Sequence, residues 1–331
     1  MNWMETFGWL VGILILVFVI ACLLSDADLT LRFFEKVGSK KGEDFRNQVI
    51  WVTGASSGIG EELAYQLAKT GCKLVLSARR KNELQRVKDE ILKKGGIHQD
   101  DVMVLPLDIA ECDTHKDATE KVISQFKQID ILVNNAGRSQ RSLAMEASFE
   151  VDKAIFDINI LGTISLTKSV LPYMVSRKSG HVVVTSSLAG IVPAPLQTAY
   201  SAAKHAVQGY FNSLRLELAS DNITLTTILP GPVVSKVVEN ALTTSLDKGL
   251  ISGNMEAAMQ YPNRMSTVRC AELMVIAIAY QLHEVWIAKN PILLTAYMAQ
   301  YMPTTCRFFL AIYAKRRIKS LKDNTPKKKD E

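Results

Sequence analysis

Val49-Ile50-Trp51-Val52-Thr53-Gly54-Ala55-Ser56-Ser57-Gly58-Ile59-Gly60-Glu61-Glu62-Leu63-Ala64 decides the fold. An apolar, β-rich run enters a glycine-rich turn, and a stretch of helical period leaves it. Glycines at such a turn let the backbone approach a pyrophosphate, which then rests on the helix N-terminus. A glycine loop alone decides little; its place after the first strand of a βαβ series gives it meaning. The residues expected to line it are Thr53, Gly54, Ser56, Ser57, Gly58, Ile59 and Gly60.

Outward from that loop the pattern alternates. Apolar runs at Val49–Val52, Leu74–Leu76, Val102–Leu107, Ile131–Val133, Val182–Thr185, Leu225–Leu229 and Val285–Ile287 predict seven strands. Between them, Glu61–Lys69, Lys81–Leu92, Ala118–Phe126, Val151–Ser176 and Ala199–Leu218 carry helical period. Such alternation predicts a parallel sheet with helices on both faces, a Rossmann-type doubly wound α/β domain. Its crossovers are expected to be right-handed.

The second strand ends Ser77-Ala78-Arg79-Arg80. A site for NAD places Asp or Glu near here, on the ribose 2′-hydroxyl. Ala78 stands in that place, followed by two arginines, and a forked guanidinium suits a 2′-phosphate. The cofactor implied is NADP(H). Arg79 is the first choice for the phosphate because it directly follows the acid's position. Arg80 is the second choice, or simply solvated.

The chain has 331 residues, a net charge of +6, 48% apolar residues and 22% charged ones. That balance excludes disorder and fibrous structure and leaves ample chain for a core. The charge is local: Lys315–Glu331 holds eight basic and three acidic residues. With the basicity confined to a tail, no nucleic-acid partner is expected. The five cysteines lie far apart and form neither a disulfide framework nor a zinc site. His181 and His205 have no metal-like companions, so no metal is expected.

Thr6–Leu24 carries no charge and is nearly all large and apolar from Trp9 onward, close to the ~20 residues that span hydrocarbon. Met1–Glu5 has no Lys or Arg, and Ser25-Asp26-Ala27 is a poor cleavage site, so a retained anchor is expected rather than a signal peptide. Arg32, Lys36, Lys40, Lys41 and Arg46 follow, and the positive-inside bias puts that side in the cytoplasm. The expected division is anchor 1–28, polar linker 29–47, α/β domain 48–290, apolar segment 291–314 and basic tail 315–331. Gln300, Pro303 and Arg307 argue against a second span in 291–314. That segment reads as bilayer-facing, as a cover over the domain, or as a homodimer contact. Lys328-Lys329-Asp330-Glu331 resembles a dilysine retrieval signal of endoplasmic-reticulum membrane proteins, or is a solvated run.

Four stretches follow in order: Thr53–Gly60, Asn134-Asn135-Ala136-Gly137, Tyr200-Ser201-Ala202-Ala203-Lys204 and Pro230-Gly231. Together they resemble the short-chain dehydrogenase/reductase family over roughly Gln48–Ile287. The apolar N-terminus, Trp51-Val52-Thr53 and Gln300-Tyr301-Met302-Pro303-Thr304 resemble one membrane-bound member in particular. The resemblance implies hydride transfer between a nicotinamide and a carbonyl or alcohol. It implies Asp108 at the adenine, and Asn135, Ala136 and Gly137 along the adenine ribose. Pro230, Gly231, Val233 and Ser235 are implied beside the nicotinamide, with Ser235 where the family often has Thr. Lys204 is implied on the nicotinamide ribose. Asn159 matches a fourth catalytic residue, holding a water that links Lys204 to solvent; capping its own helix is the ordinary reading of such an amide.

The residues also argue a chemistry of their own. Reducing a carbonyl needs a proton for the developing alkoxide, and an unperturbed tyrosine near pKa ~10 is a poor acid/base at neutral pH. Lys204, four residues after Tyr200, shares its helix face, and an ammonium there lowers the tyrosine pKa. Tyr200 is thus the expected acid/base. Ser187, at a strand end, can donate to the carbonyl oxygen. Ser186 can do so on chemistry alone; the family's spacing favours Ser187.

Val233–Met265 is expected to form a substrate flap. Val237, Val238, Leu242, Leu246, Leu250, Met255, Met259 and Met265 would give adaptable apolar walls for a bulky lipophilic substrate, or ordinary packing. Membrane-bound relatives imply steroids or retinoids. The alternative is a catalytically silent binding or scaffolding protein at the membrane. A silent chain is expected to lose Ser, Tyr or Lys, and this one keeps all three.

Overall fold

The computed structural model describes residues 3–38, 45–235, 237, 239–246 and 264–324. Its centre is a sheet of seven strands: β1 Val49–Thr53, β2 Lys73–Ser77, β3 Val102–Val104, β4 Ile131–Asn134, β5 Gly180–Thr185, β6 Ile223–Pro230 and β7 Glu284–Ile287. All neighbours are parallel, in the order β3-β2-β1-β4-β5-β6-β7. The order reverses between β1 and β4, which opens a crevice at the carboxyl ends of the strands.

Alternation along β1 shows how the two faces are filled. Ile50 and Val52 pack with Leu63 and Leu67 of α3 (Gly58–Ala68), Val87 of α4 (Lys81–Lys94) and Leu273 of α9 (Thr267–Ala279). Val49 and Trp51 face the other way. They join Val122 of α5 (His115–Phe126), Val170 of α7 (Gly162–Arg177) and Phe211 of α8 (Thr198–Glu217). Both layers are fully buried, which is why the strands read as continuous apolar runs. Trp51 keeps its indole N–H satisfied by donating to Ser77 Oγ at 2.8 Å.

Several elements differ from expectation. The regular part of β3 ends at Val104, although Leu105 N and Leu107 N, on either side of Pro106, still donate to Leu76 O at 2.9 Å and Ala78 O at 3.0 Å. The helix expected over Val151–Ser176 runs continuously from Phe149 to Arg177, but a π-turn at Asp157–Leu161 is set between α6 (Phe149–Phe156) and α7. The whole Phe149–Arg177 stretch is long and apolar enough to cross a bilayer, but Val151, Leu166 and Met174 are buried in the domain, which makes it a core helix.

The segment read as a polar linker contains helix α2, Leu29–Val37. Asp28 caps it by accepting from Leu31 N at 2.9 Å. The same residue pairs with edge strand β7: Asp28 N donates to Trp286 O at 2.8 Å, and Trp286 N donates to Asp28 Oδ2 at 2.7 Å. Arg269 of α9 binds Asp26 (Nε–Oδ2, 2.8 Å) and Glu35 (Nη1–Oε1, 2.5 Å). The charges that suggested a solvated linker are spent on docking it, while Leu31 and Phe34 face the core.

Upstream, α1 (Trp3–Leu24) is one helix of 22 residues. After β7, Asn290 Nδ2 donates to Leu23 O at 2.9 Å, tying the end of α1 to the start of α10 (Ile292–Tyr301). Pro303 takes the first position of α11 (Pro303–Asn324), where its missing N–H costs nothing. That helix runs past the expected tail boundary at residue 315.

Candidate active site

A cleft of about 440 Å³ lies at the strand ends beside the switch point, and every catalytic and cofactor residue expected from sequence lines it. One end is built by the glycine loop. Gly54 and Gly58 adopt φ of +68° and +63°, which side chains other than glycine resist. A Cβ on Gly60 would collide with the Gly54 carbonyl. Thr53 staples this loop to its neighbour: its Oγ1 accepts from Asn135 N and Ala136 N, each at 3.0 Å, while Asn135 Nδ2 donates to Thr53 O at 3.1 Å. The cradle fits a dinucleotide pyrophosphate, with the N-terminus of α3 behind it.

At the same end the two arginines make different contacts. Arg80, the second choice, reaches the loop, with Nη2 3.3 Å from Ser56 Oγ and 3.5 Å from Ser57 Oγ. Arg79, the first choice, is 61% exposed and pairs loosely with Asp108 at 3.8 Å. Asp108 Oδ1 also accepts from Ala110 N at 3.1 Å, shaping the turn after β3.

The opposite end gathers Ser187, Tyr200, Lys204 and Asn159. Ser187 Oγ donates to Pro230 O at 3.3 Å and accepts from Ala189 N at 3.1 Å. Ser186 Oγ is buried and donates to Lys204 O at 3.1 Å, so the neighbouring hydroxyl is committed to the helix backbone. Burial pushes the Tyr200 phenol up, against hydrogen bonding to Ser187 and the nearby Arg141 charge. Lys204 Nζ donates to Thr185 O at 2.8 Å. Its burial lowers its pKa to about 8.

Asn159 sits in the π-turn, almost wholly buried. Its Nδ2 donates to Ile155 O and to Arg138 O, each at 2.9 Å, and its Oδ1 accepts from Arg138 N at 3.2 Å. Both amide hydrogens are therefore taken by protein carbonyls. His181 pairs with Thr226 Oγ1 at 2.8 Å, and burial lowers its pKa to about 3. Among the described residues no cluster of His, Cys, Asp or Glu could hold a metal ion.

The flap residues divide. Val237 lines the cleft. Leu242 and Met265 are core residues, each 1% exposed, and form isolated bridges with Gln140 and Val233. Leu246 is exposed. Val238, Leu250, Met255 and Met259 lie outside the described residues. Sequence reasoning missed Val192, Ala194 and Ile292, which also line the cleft, and the run Arg138-Ser139 with Arg141. The one signal for that run was its position directly after Asn135-Ala136-Gly137.

Residues 48–245 match the family model described as short chain dehydrogenase. The chain belongs to the short-chain dehydrogenase/reductase family. The relative suggested by the N-terminus and Gln300–Thr304 is dehydrogenase/reductase SDR family member 7. The human protein of that name is 46% identical, over 97% of this chain and 95% of its own. A Drosophila melanogaster family protein 7-like is 38% identical, over 70% of this chain and 72% of its own. Among solved short-chain dehydrogenase/reductase folds, one from Burkholderia phymatum in complex with NAD superposes with a TM-score of 0.68 at 24% identity, covering 77% of this chain and 93% of that one. L-Sorbose reductase from Gluconobacter frateurii, complexed with NADPH and L-sorbose, gives 0.64 at 25% identity, covering 75% and 97%. The chain thus has the fold of an oxidoreductase family whose solved members bind nicotinamide cofactors.

Proposed function

We propose that this chain is a membrane-anchored, NADP(H)-dependent oxidoreductase that reduces ketones or aldehydes of lipophilic substrates such as steroids, retinoids or xenobiotics. One observation carries the reading. Ser187, Tyr200 and Lys204 converge in a cleft whose other end offers two arginines and no acid at Ala78. NADPH, when bound, supplies the hydride. Tyr200 gives its phenolic proton to the carbonyl oxygen as negative charge develops there. Ser187 donates a hydrogen bond to that oxygen and fixes it near Tyr200. Lys204 stabilises the phenolate that this leaves, and Asn159 holds the backbone of the loop that begins at Gly137. Arg80 and Arg79 bind the 2′-phosphate. Val192, Ala194, Val237 and Ile292 give the substrate end apolar walls.

The membrane reading rests on α1, whose 22 residues span roughly 33 Å at helical rise. Trp9, Leu16, Val17 and Leu23 are exposed along it. Phe308, Phe309, Ile312 and Tyr313 of α11 are exposed too, and Lys315, Arg316 and Arg317 follow them. This suits an interfacial helix with basic residues at the headgroups. The proposed location is the endoplasmic-reticulum membrane, with the α/β domain in the cytoplasm.

Turnover of a lipophilic carbonyl panel by the purified chain, with NADPH and with NADH, tests the function. NADPH is expected to be preferred, and Tyr200→Phe to lower turnover at least ~10²-fold while NADPH still binds. Wild-type rates in Tyr200→Phe would remove Tyr200 from this role. Saturable ligand binding without any turnover would favour the silent scaffold.

A further inference from the structure

The loop after Gly137 has no part in the chemistry so far, yet it is built into the start of the helix that carries Tyr200. Gln140 is fully buried. Its Oε1 accepts from Ala199 N at 2.9 Å, and its Nε2 donates to Asp152 Oδ1 of α6 at 3.3 Å. Ala199 immediately precedes Tyr200. The loop is itself held in place by Leu242, which accepts from Arg141 N at 2.8 Å and donates to Ser139 O at 2.9 Å.

Arg141 is an unusual residue to find here. It is 8% exposed and lines the cleft with Tyr200 and Ser187. Its Nη1 donates to Ser139 Oγ at 2.5 Å and to Gln140 O at 2.6 Å. Gln197, with its carboxamide oxygen turned to the guanidinium, accepts from Nη2 at 2.8 Å. Gln197 is the residue before α8 begins. The guanidinium is therefore fixed from both sides, by its own loop and by the entrance to the Tyr200 helix.

We propose that Arg141, held by Ser139, Gln140 and Gln197, is a positioning residue that keeps a permanent positive charge beside the Tyr200 phenol. This deepens the proposed function and rests on Tyr200 being the acid/base. Lys204 supplies such a charge only while protonated, and its pKa lies at about 8. A guanidinium does not titrate in this range. The Arg141 charge favours the phenolate, opposing the burial that disfavours it. The charged groups around this end of the cleft, among the described residues, are Lys204 on α8, Arg138 and Arg141 on the loop, and Arg264 before α9; Asp152 lies behind Gln140. Among the described residues, the only acid lining the cleft is Asp108, at its other end. Arg141 thus widens the pH range over which Tyr200 can exchange its proton.

The test is a direct titration of the phenol, which needs no substrate. The full chain in detergent micelles, labelled with ¹³Cζ-tyrosine and saturated with NADP⁺, is followed by NMR against pH. Loss of one resonance in Tyr200→Phe identifies Tyr200. Arg141→Met is expected to raise its midpoint by at least about one unit, and Arg141→Lys to return most of that shift. Ser139→Ala, which loosens the guanidinium without removing it, is expected to shift the midpoint the same way by less. An unmoved midpoint in folded Arg141→Met overturns the proposal, and if that variant does not fold, an unmoved midpoint in Ser139→Ala does so. Failure of the enzyme reading looks different, since the wild-type chain would then turn over no carbonyl.

Discussion

Arg80 donates toward two hydroxyls of the phosphate-binding loop, whereas Arg79 extends into solvent beside Asp108. Arg80→Ala is therefore expected to raise the KM for NADPH about tenfold to a hundredfold, with a far smaller effect on NADH. Arg79→Ala is expected to do the same more weakly. Steady-state kinetics with both cofactors checks this, and equal losses for NADPH and NADH in both variants would leave the arginines structural. Choosing between the two lay beyond the sequence, because adjacency to the missing acid says nothing about which guanidinium turns toward Ser56. The motif residues were legible for the opposite reason. Tyr200 and Lys204 are tied by helix geometry, and the glycines by backbone angles that few other residues adopt. Arg141 was not legible, since its place depends on Leu242 returning from a hundred residues away to hold the loop.

At the level of elements, alternation of apolar runs and helical periods was enough for the seven strands and their parallel pairing. The π-turn was hidden, because one inserted residue barely disturbs the period of a long helix. Helix α2 was hidden by its charges. Two of them carry opposite pH signatures. Burial would raise the Asp26 carboxyl, but the Arg269 hydrogen bonds and charge, with Arg32, outweigh it and hold its pKa low. Its stabilisation is thus present above the ordinary carboxylate value and lost as pH falls through the lowered one. Asp28 is raised, chiefly by burial, so its ionised form is a cost that grows as pH rises past the unfolded value. Arg269→Met should cost about 2 kcal/mol at pH 7 and less near pH 3, read as the difference in thermal midpoints at the two pH values. A constant difference would mean that the ion pairs with Asp26 and Glu35 do not hold α2 in place. Asp28→Asn keeps only one of the two acceptors that serve Leu31 N and Trp286 N, so it should lose about 1 kcal/mol, whereas Asp28→Ala, which removes both, should lose about 2 kcal/mol.

For the whole molecule, the orientation of the domain in the membrane can be read from a single triplet. Asn222-Ile223-Thr224 is the chain's one acceptor pattern for a glycan. Asn222 is exposed, though its amide donates to Lys178 O at 3.0 Å, and Ile223 already enters β6. A cytoplasmic domain carries no glycan here and is digested when protease is added to intact microsomes; both results are expected. A mass shift removed by endoglycosidase, or full protection from protease, would place the domain in the lumen. An exposed edge strand is ordinarily an open template onto which another sheet can grow. On β7 the outward N–H and carbonyl of Trp286 are both already occupied by residue 28 of the same chain. Two copies of this protein therefore cannot fuse their sheets across β7 without first stripping off the junction between α1 and α2.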